Sequence, residues 1–83
     1  HNILPDTSVI EQYEYEELGK MISVFLSEEK KSVRNVFIRR YFFMDSIHDI
    51  ADKYSYSESK VKTMLYHTRK KLKVFLEREG VQI

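Results

Sequence analysis

From Ser8 onward, apolar residues recur at three-to-four spacing in blocks separated by short polar breaks, the mark of amphipathic helices. The first block is Ile10, Leu18, Met21, Ile22 and Phe25, with Glu14 the one polar member of the stripe. Ser8 and Glu11 form a Ser-x-x-Glu capping box ahead of it, so the pattern predicts a helix over about 8–27. Residues 1–7 are read as a disordered, frayed end or an expression remnant, and 8–83 as one domain. The polar run "SEEKKS", residues 27–32, interrupts the stripe. Ser32 is the expected cap of a second helix that carries Val33, Val36, Phe37, Arg40 and Tyr41.

The stripe resumes with Ile47, Ile50, Ala51 and Tyr54, behind Asp45 or Ser46 as cap. Asp49 near that helix start suits the macrodipole. After "SYS", residues 55–57, Ser57 caps a fourth helix expected to run to about Glu79, with Gly80 as its stop. Helices joined by so short a turn are expected to cross steeply, as in a helix-turn-helix, here over about 46–66. The fold class is therefore all-α: a small four-helix domain with a C-terminal helix-turn-helix.

The two faces of the fourth helix differ in chemistry. Stepping 100° per residue from Val61 gathers Leu65, Thr68, Leu72 and Phe75 on one side, with Met64 and Leu76 at its margins. The opposite arc collects Ser59, Lys60, Lys62, Thr63, Tyr66, His67, Lys70 and Lys73. Between Ser57 and Leu76 one acid, Glu58, stands against six bases. A merely solvated lysine face normally mixes in glutamates as i,i+4 partners. This arc instead mixes in hydroxyl, imidazole and phenol groups. Lysines and a helix N-terminus attract phosphates, and the short polar side chains can bond to phosphates or base edges. The combination points to major-groove binding of duplex DNA.

Composition narrows the alternatives. Eighty-three residues with 42% hydrophobic content make one small domain, and two glycines and one proline argue against turn-rich β architecture. The absence of cysteine excludes disulfides and thiolate metal sites. No apolar run approaches the ~20 residues of a membrane span, so no membrane partner is expected. His1, His48 and His67 are far apart in sequence, which argues against a metal site. His48 is expected to be exposed, and His67 reads either as solvated surface or as a DNA contact. Capping and dipole account for Asp45 and Asp49, and no nucleophile or glycine-rich loop accompanies Asp52. The expectation is therefore no enzyme, no catalytic residue, no metal and no cofactor. Tyr15 and Val74 should point outward. Tyr41, Phe42 and Phe43 are consecutive and cannot all face one core. Tyr41 is expected to pack. Phe42 or Phe43 should be partly exposed or form a second hydrophobic seam; burial against the first helix is the favoured expectation, with a partner surface as the alternative.

The string "VFIRRYFFMDSIHDIADKYSYSESKVKTMLYHTRKKLKVFLEREG", Val36 to Gly80, resembles the C-terminal promoter-recognition region (region 4) of bacterial sigma-70-type sigma factors, especially the extracytoplasmic-function group. The likeness rests on "RRYFF", on "SIHDIA" as first motif helix and on "SESKVKTMLYHTRKKL" as recognition helix. It covers the last half of the chain; "EYEELGKMISVFL" fits more loosely. The resemblance implies binding of the −35 promoter element, docking on the β flap of core RNA polymerase, and a bacterial cytoplasmic location. The base-facing positions it implies are Glu58, Ser59, Lys60, Lys62, Thr63, Tyr66 and His67, with Lys70 on a phosphate and Ser46 offering another phosphate contact. The chain departs from the family at Ser55 (usually Gly), Met64 (often basic), Thr68 (a small Ala) and Lys30 (commonly Pro). If Ser55 keeps φ > 0, serine should cost about 1 kcal/mol relative to glycine. No segment resembles a −10 recognition domain, so the chain reads as a fragment of a longer sigma factor or a stand-alone relative. The helix-turn-helix alone also fits a response-regulator output domain. A third reading is a protein-interaction module held by an anti-sigma factor.

Overall fold

The computed structural model describes the backbone of residues 5–81 and the side chains of residues 14–81. All regular structure among them is helical: α1 (Pro5–Ser27), α2 (Lys31–Tyr41), α3 (Ile47–Tyr54) and α4 (Glu58–Arg78). None of these helices is long and apolar enough to cross a membrane. α4 is the hub. It packs against each of the other three, while α2 also packs against α3. The core takes Phe25 and Leu26 from α1, Val36 and Phe37 from α2, Ile50 and Ala51 from α3, and Val61 and Leu65 from α4. Phe75 extends it along α4, its ring 5.5 Å from that of Phe25.

Two helix starts differ from the sequence expectation. α1 begins at Pro5, so Ser8 lies within its first turn rather than at its cap. Proline suits a first helical position because its fixed φ is already helical and its missing N–H has no partner there anyway. The stripe member Ile10, and any Ser8–Glu11 bond, lie outside the described side chains. α2 begins at Lys31, with Lys30 rather than Ser32 at the N-cap and no side-chain capping bond. The join is fastened from the other side: Arg34 Nη1 donates to Leu26 O at 3.4 Å and to Glu29 O at 3.3 Å. Leu26 O also accepts from the Glu29 amide at 3.0 Å, so the guanidinium adds a second bond there and reaches Glu29 O, just past the end of α1.

α3 and α4 start as the serines suggest. Ser46 Oγ accepts from the Asp49 amide and Ser57 Oγ from the Lys60 amide, each at 3.0 Å. Asp45 is not the cap; its carboxylate sits 3.7 Å from Arg39, and its carbonyl accepts from Arg40 Nη1. α3 ends in a Schellman arrangement: Tyr56 N–H bonds to Ala51 O at 2.9 Å and Ser55 N–H to Asp52 O at 3.4 Å. α4 ends the same way, Val81 N–H to Leu76 O and Gly80 N–H to Glu77 O, with Gly80 at φ 85°.

The difference between the two ends is chemical. At α3 the left-handed position is held by Ser55, at φ 58° and ψ 41°. A Cβ there crowds the following carbonyl. Ser55→Gly is expected to raise stability by about 1 kcal/mol, read as an upward shift of the urea midpoint at unchanged slope.

Thr68 is the one buried polar residue in α4, and its hydroxyl donates back to Met64 O at 2.7 Å, so it carries no unmet bond. Tyr15 and Val74 are exposed, as their positions suggested. Phe42 and Phe43 are not buried against α1. They stay 62% and 61% exposed, because α2 stops at Tyr41 and Met44, at φ 61°, turns the chain toward α3. Tyr41 stacks on Phe37 at 4.7 Å, yet remains 40% exposed.

Candidate nucleic-acid interface

The candidate site is the outer side of α4 together with the corner in front of it. Burying Val61, Leu65, Thr68 and Leu76 fixes the rotation of α4 about its axis. The residues on the opposite arc are exposed in consequence: Ser59, Lys60, Lys62, Thr63, Tyr66, His67, Lys70 and Lys73. Glu58 and Ser46 are exposed as well. The fold thus gathers all nine sequence-derived site residues at the surface, eight of them on one helix and Ser46 at the start of its neighbour.

The six bases of this stretch divide by task. Arg69 and Lys71 lie off the arc and serve the fold: Arg69 Nη1 donates to Tyr41 Oη at 2.8 Å, and Lys71 Nζ pairs with Glu29 Oε1 at 2.9 Å. Among the described residues, none of Lys60, Lys62, Lys70 and Lys73 is paired with a carboxylate. Two of them rest on aromatic faces. Lys60 Nζ lies 4.1 Å from the Tyr56 ring centroid and Lys70 Nζ 5.3 Å from that of Tyr66. Cation–π contact restrains an ammonium without neutralising it. Tyr66 in turn meets His67 edge-on at 5.4 Å.

The two serine caps leave the front of the site chemically open. Each hydroxyl oxygen accepts one amide, while its own proton remains free to donate to an anion. The first turn of α3 also carries Asp49, which lessens the pull of that helix end on a phosphate. α4 has Glu58 in the equivalent turn, but that carboxylate is engaged: its Oε2 lies 3.1 Å from His48 Nδ1. His48 Nε2 lies 3.3 Å from Asp52 Oδ2.

Sequence reasoning missed two participants. Tyr56 supports Lys60 from within the α3–α4 turn, and a lysine four residues beyond an aromatic was the available signal. The His48–Glu58 bond spans ten residues across a turn, and only the Asp52 half of it, at i,i+4, was legible.

Away from this face lies a mostly apolar groove. Ser23, Leu26, Ser27, Arg34, Ile38, Phe42 and Phe43 line it, between the end of α1 and the end of α2. Arg39 lies over the Phe43 ring at 4.7 Å, and Met44, 78% exposed, extends the corner. The chain therefore presents a cationic polar helix face and a separate aromatic corner. No known family model matches this sequence, and no curated protein matches it significantly.

Proposed function

We propose that this chain binds promoter DNA as a region 4-type module of a bacterial sigma factor, with α3, the Ser55–Ser57 turn and α4 acting as a helix-turn-helix. α4 enters the major groove of the −35 element with its first two turns foremost. Lys62, Thr63, Tyr66 and His67 read base edges, and Ser59 and Lys60 contact bases or the flanking backbone. Lys70, farther along, meets a phosphate, and Ser46 at the start of α3 meets another. The aromatic corner from Tyr41 to Met44, with the α1–α2 groove beside it, is the docking surface for the β flap of core RNA polymerase. A protein with this role works in the bacterial cytoplasm, needs no cofactor and performs no catalysis.

The observation that carries this reading is the exposed arc of α4, which holds four lysines unpaired among the described residues and is interleaved with hydroxyl and aromatic groups. An arc kept for solubility alone would gain from i,i+4 glutamates and would not need Thr63, Tyr66 and His67 together.

Titration of a duplex pool at several salt concentrations tests the reading. Lys70→Ala is expected to weaken all duplexes about equally and to lower the slope of log affinity against log salt by about one unit. A slope near zero for the parent chain contradicts DNA binding. The exposed aromatic corner supports a second reading, a pure interaction module held by an anti-sigma factor, and that module would give such a flat salt response.

A further inference from the structure

His48 stands between two carboxylates that belong to different helices. Nδ1 faces Glu58 Oε2 at 3.1 Å and Nε2 faces Asp52 Oδ2 at 3.3 Å. Nδ1 is in hydrogen-bond geometry with Glu58, while Nε2 and the Asp52 carboxylate lie at ion-pair distance. A neutral imidazole that donates to Glu58 turns its Nε2 lone pair toward Asp52, whereas the imidazolium donates to Glu58 and sets its positive charge beside Asp52. The geometry therefore favours the charged ring. The groups acting on it are Glu58 from α4 and Asp52 and Asp49 from α3, all carboxylates. The Glu58 hydrogen bond and then the Asp52 charge hold its pKa above the ordinary 6.5.

Glu58 is the only acid at the front of the proposed DNA-reading helix. Left mobile, it would repel phosphates at the entrance of a cationic face. With Oε2 bonded to His48, its charge is compensated and its rotation limited, while Oε1 has no partner among the described residues. A carboxylate oxygen fixed at the first turn of a groove-bound helix is an acceptor suited to the cytosine N4 amino group.

We propose that His48 is a positioning residue for base recognition: its charged ring pins one oxygen of Glu58 across the α3–α4 corner so that the other accepts from a cytosine in the major groove. The inference rests on the DNA-binding reading and adds to it a pH-dependent element of specificity. Because the folded-state pKa is raised, the bridge is complete below the unfolded value and is lost as pH rises through the folded value. Cytosine preference at one position should follow the same course.

Selection from a random duplex pool, by the 83-residue chain at about pH 6 and about pH 8.5, tests this below and above the ordinary histidine value. The parent is expected to fix cytosine about tenfold over other bases in one column at the lower pH and to lose most of that preference at the higher. His48→Ala should show weak preference at both. His48→Arg, a donor charged throughout, should restore it at both, and Glu58→Ala should abolish it at both. A parent preference independent of pH, or His48→Ala as selective as the parent, overturns the role of His48 and leaves DNA binding standing. Failure of the folded parent to enrich or retain any duplex overturns both.

Discussion

Ile50→Ala is expected to destabilise the domain by about 3 kcal/mol, within the range of about 2–5 kcal/mol for truncating a buried aliphatic side chain. Ile50 is fully buried, in the cluster that joins α1, α2, α3 and α4. α3 has eight residues, too few to persist as a helix without packing, and only Ile50 and Ala51 of it are buried. Truncating Ile50 therefore leaves a cavity at the element that sets the corner in front of α4. A chain of 83 residues has a total stability of about 4–12 kcal/mol, so a large share is at stake. Urea unfolding followed by helical circular dichroism measures the effect, with Ile50→Val as a milder companion at about 1 kcal/mol. An unshifted midpoint for Ile50→Ala would show that α3 is not held through this residue.

The second large effect is on recognition. Lys62→Ala is expected to weaken binding to the preferred duplex by ~1–3 kcal/mol and to relax the preference at one base position. Lys62 is exposed one residue beyond the fully buried Val61, so packing turns it outward, and no described residue covers its ammonium. Its neighbour Lys60 is restrained over Tyr56, whereas Lys62 has neither a carboxylate nor an aromatic partner among the described residues. Competition between the selected duplex and a scrambled one separates the outcomes. A base-reading lysine lowers the ratio of the two affinities; a phosphate-binding one lowers both and leaves the ratio intact. A Lys62→Ala chain that binds both as the parent does removes Lys62 from the interface.

The second half of the fold was legible because its signals are local. Ser46 and Ser57 each accept, through the hydroxyl oxygen, from the amide three residues on, Gly80 takes the left-handed position, and the Val61 stripe fixes which residues of α4 face out. The strained Ser55 was flagged only through the resemblance, which puts glycine at that turn position, and its φ of 58° meets the condition stated there. The first half was less so. Ser32 has the chemistry of a cap, but α2 starts at Lys31 without one, and the join is held by Arg34 reaching back to Leu26 O and Glu29 O, a contact no local pattern encodes. The exposure of Phe42 and Phe43 depends on where α2 stops and on the reversal at Met44. In the candidate site, the lysine arc follows from periodicity alone. The link from His48 to Glu58 depends on how two helices meet, and the sequence shows only its ends.

The most direct test of the basic face is an amide NMR titration of the labelled chain with a short mixed-sequence duplex at low salt, where even weak electrostatic association is populated. The predicted result is a continuous set of shifting signals from Ser46, the 55–57 turn and the outer arc of α4 through Lys70, reversed by added salt. Shifts confined to Tyr41–Met44 and the α1–α2 groove, or no shifts at all, would contradict it.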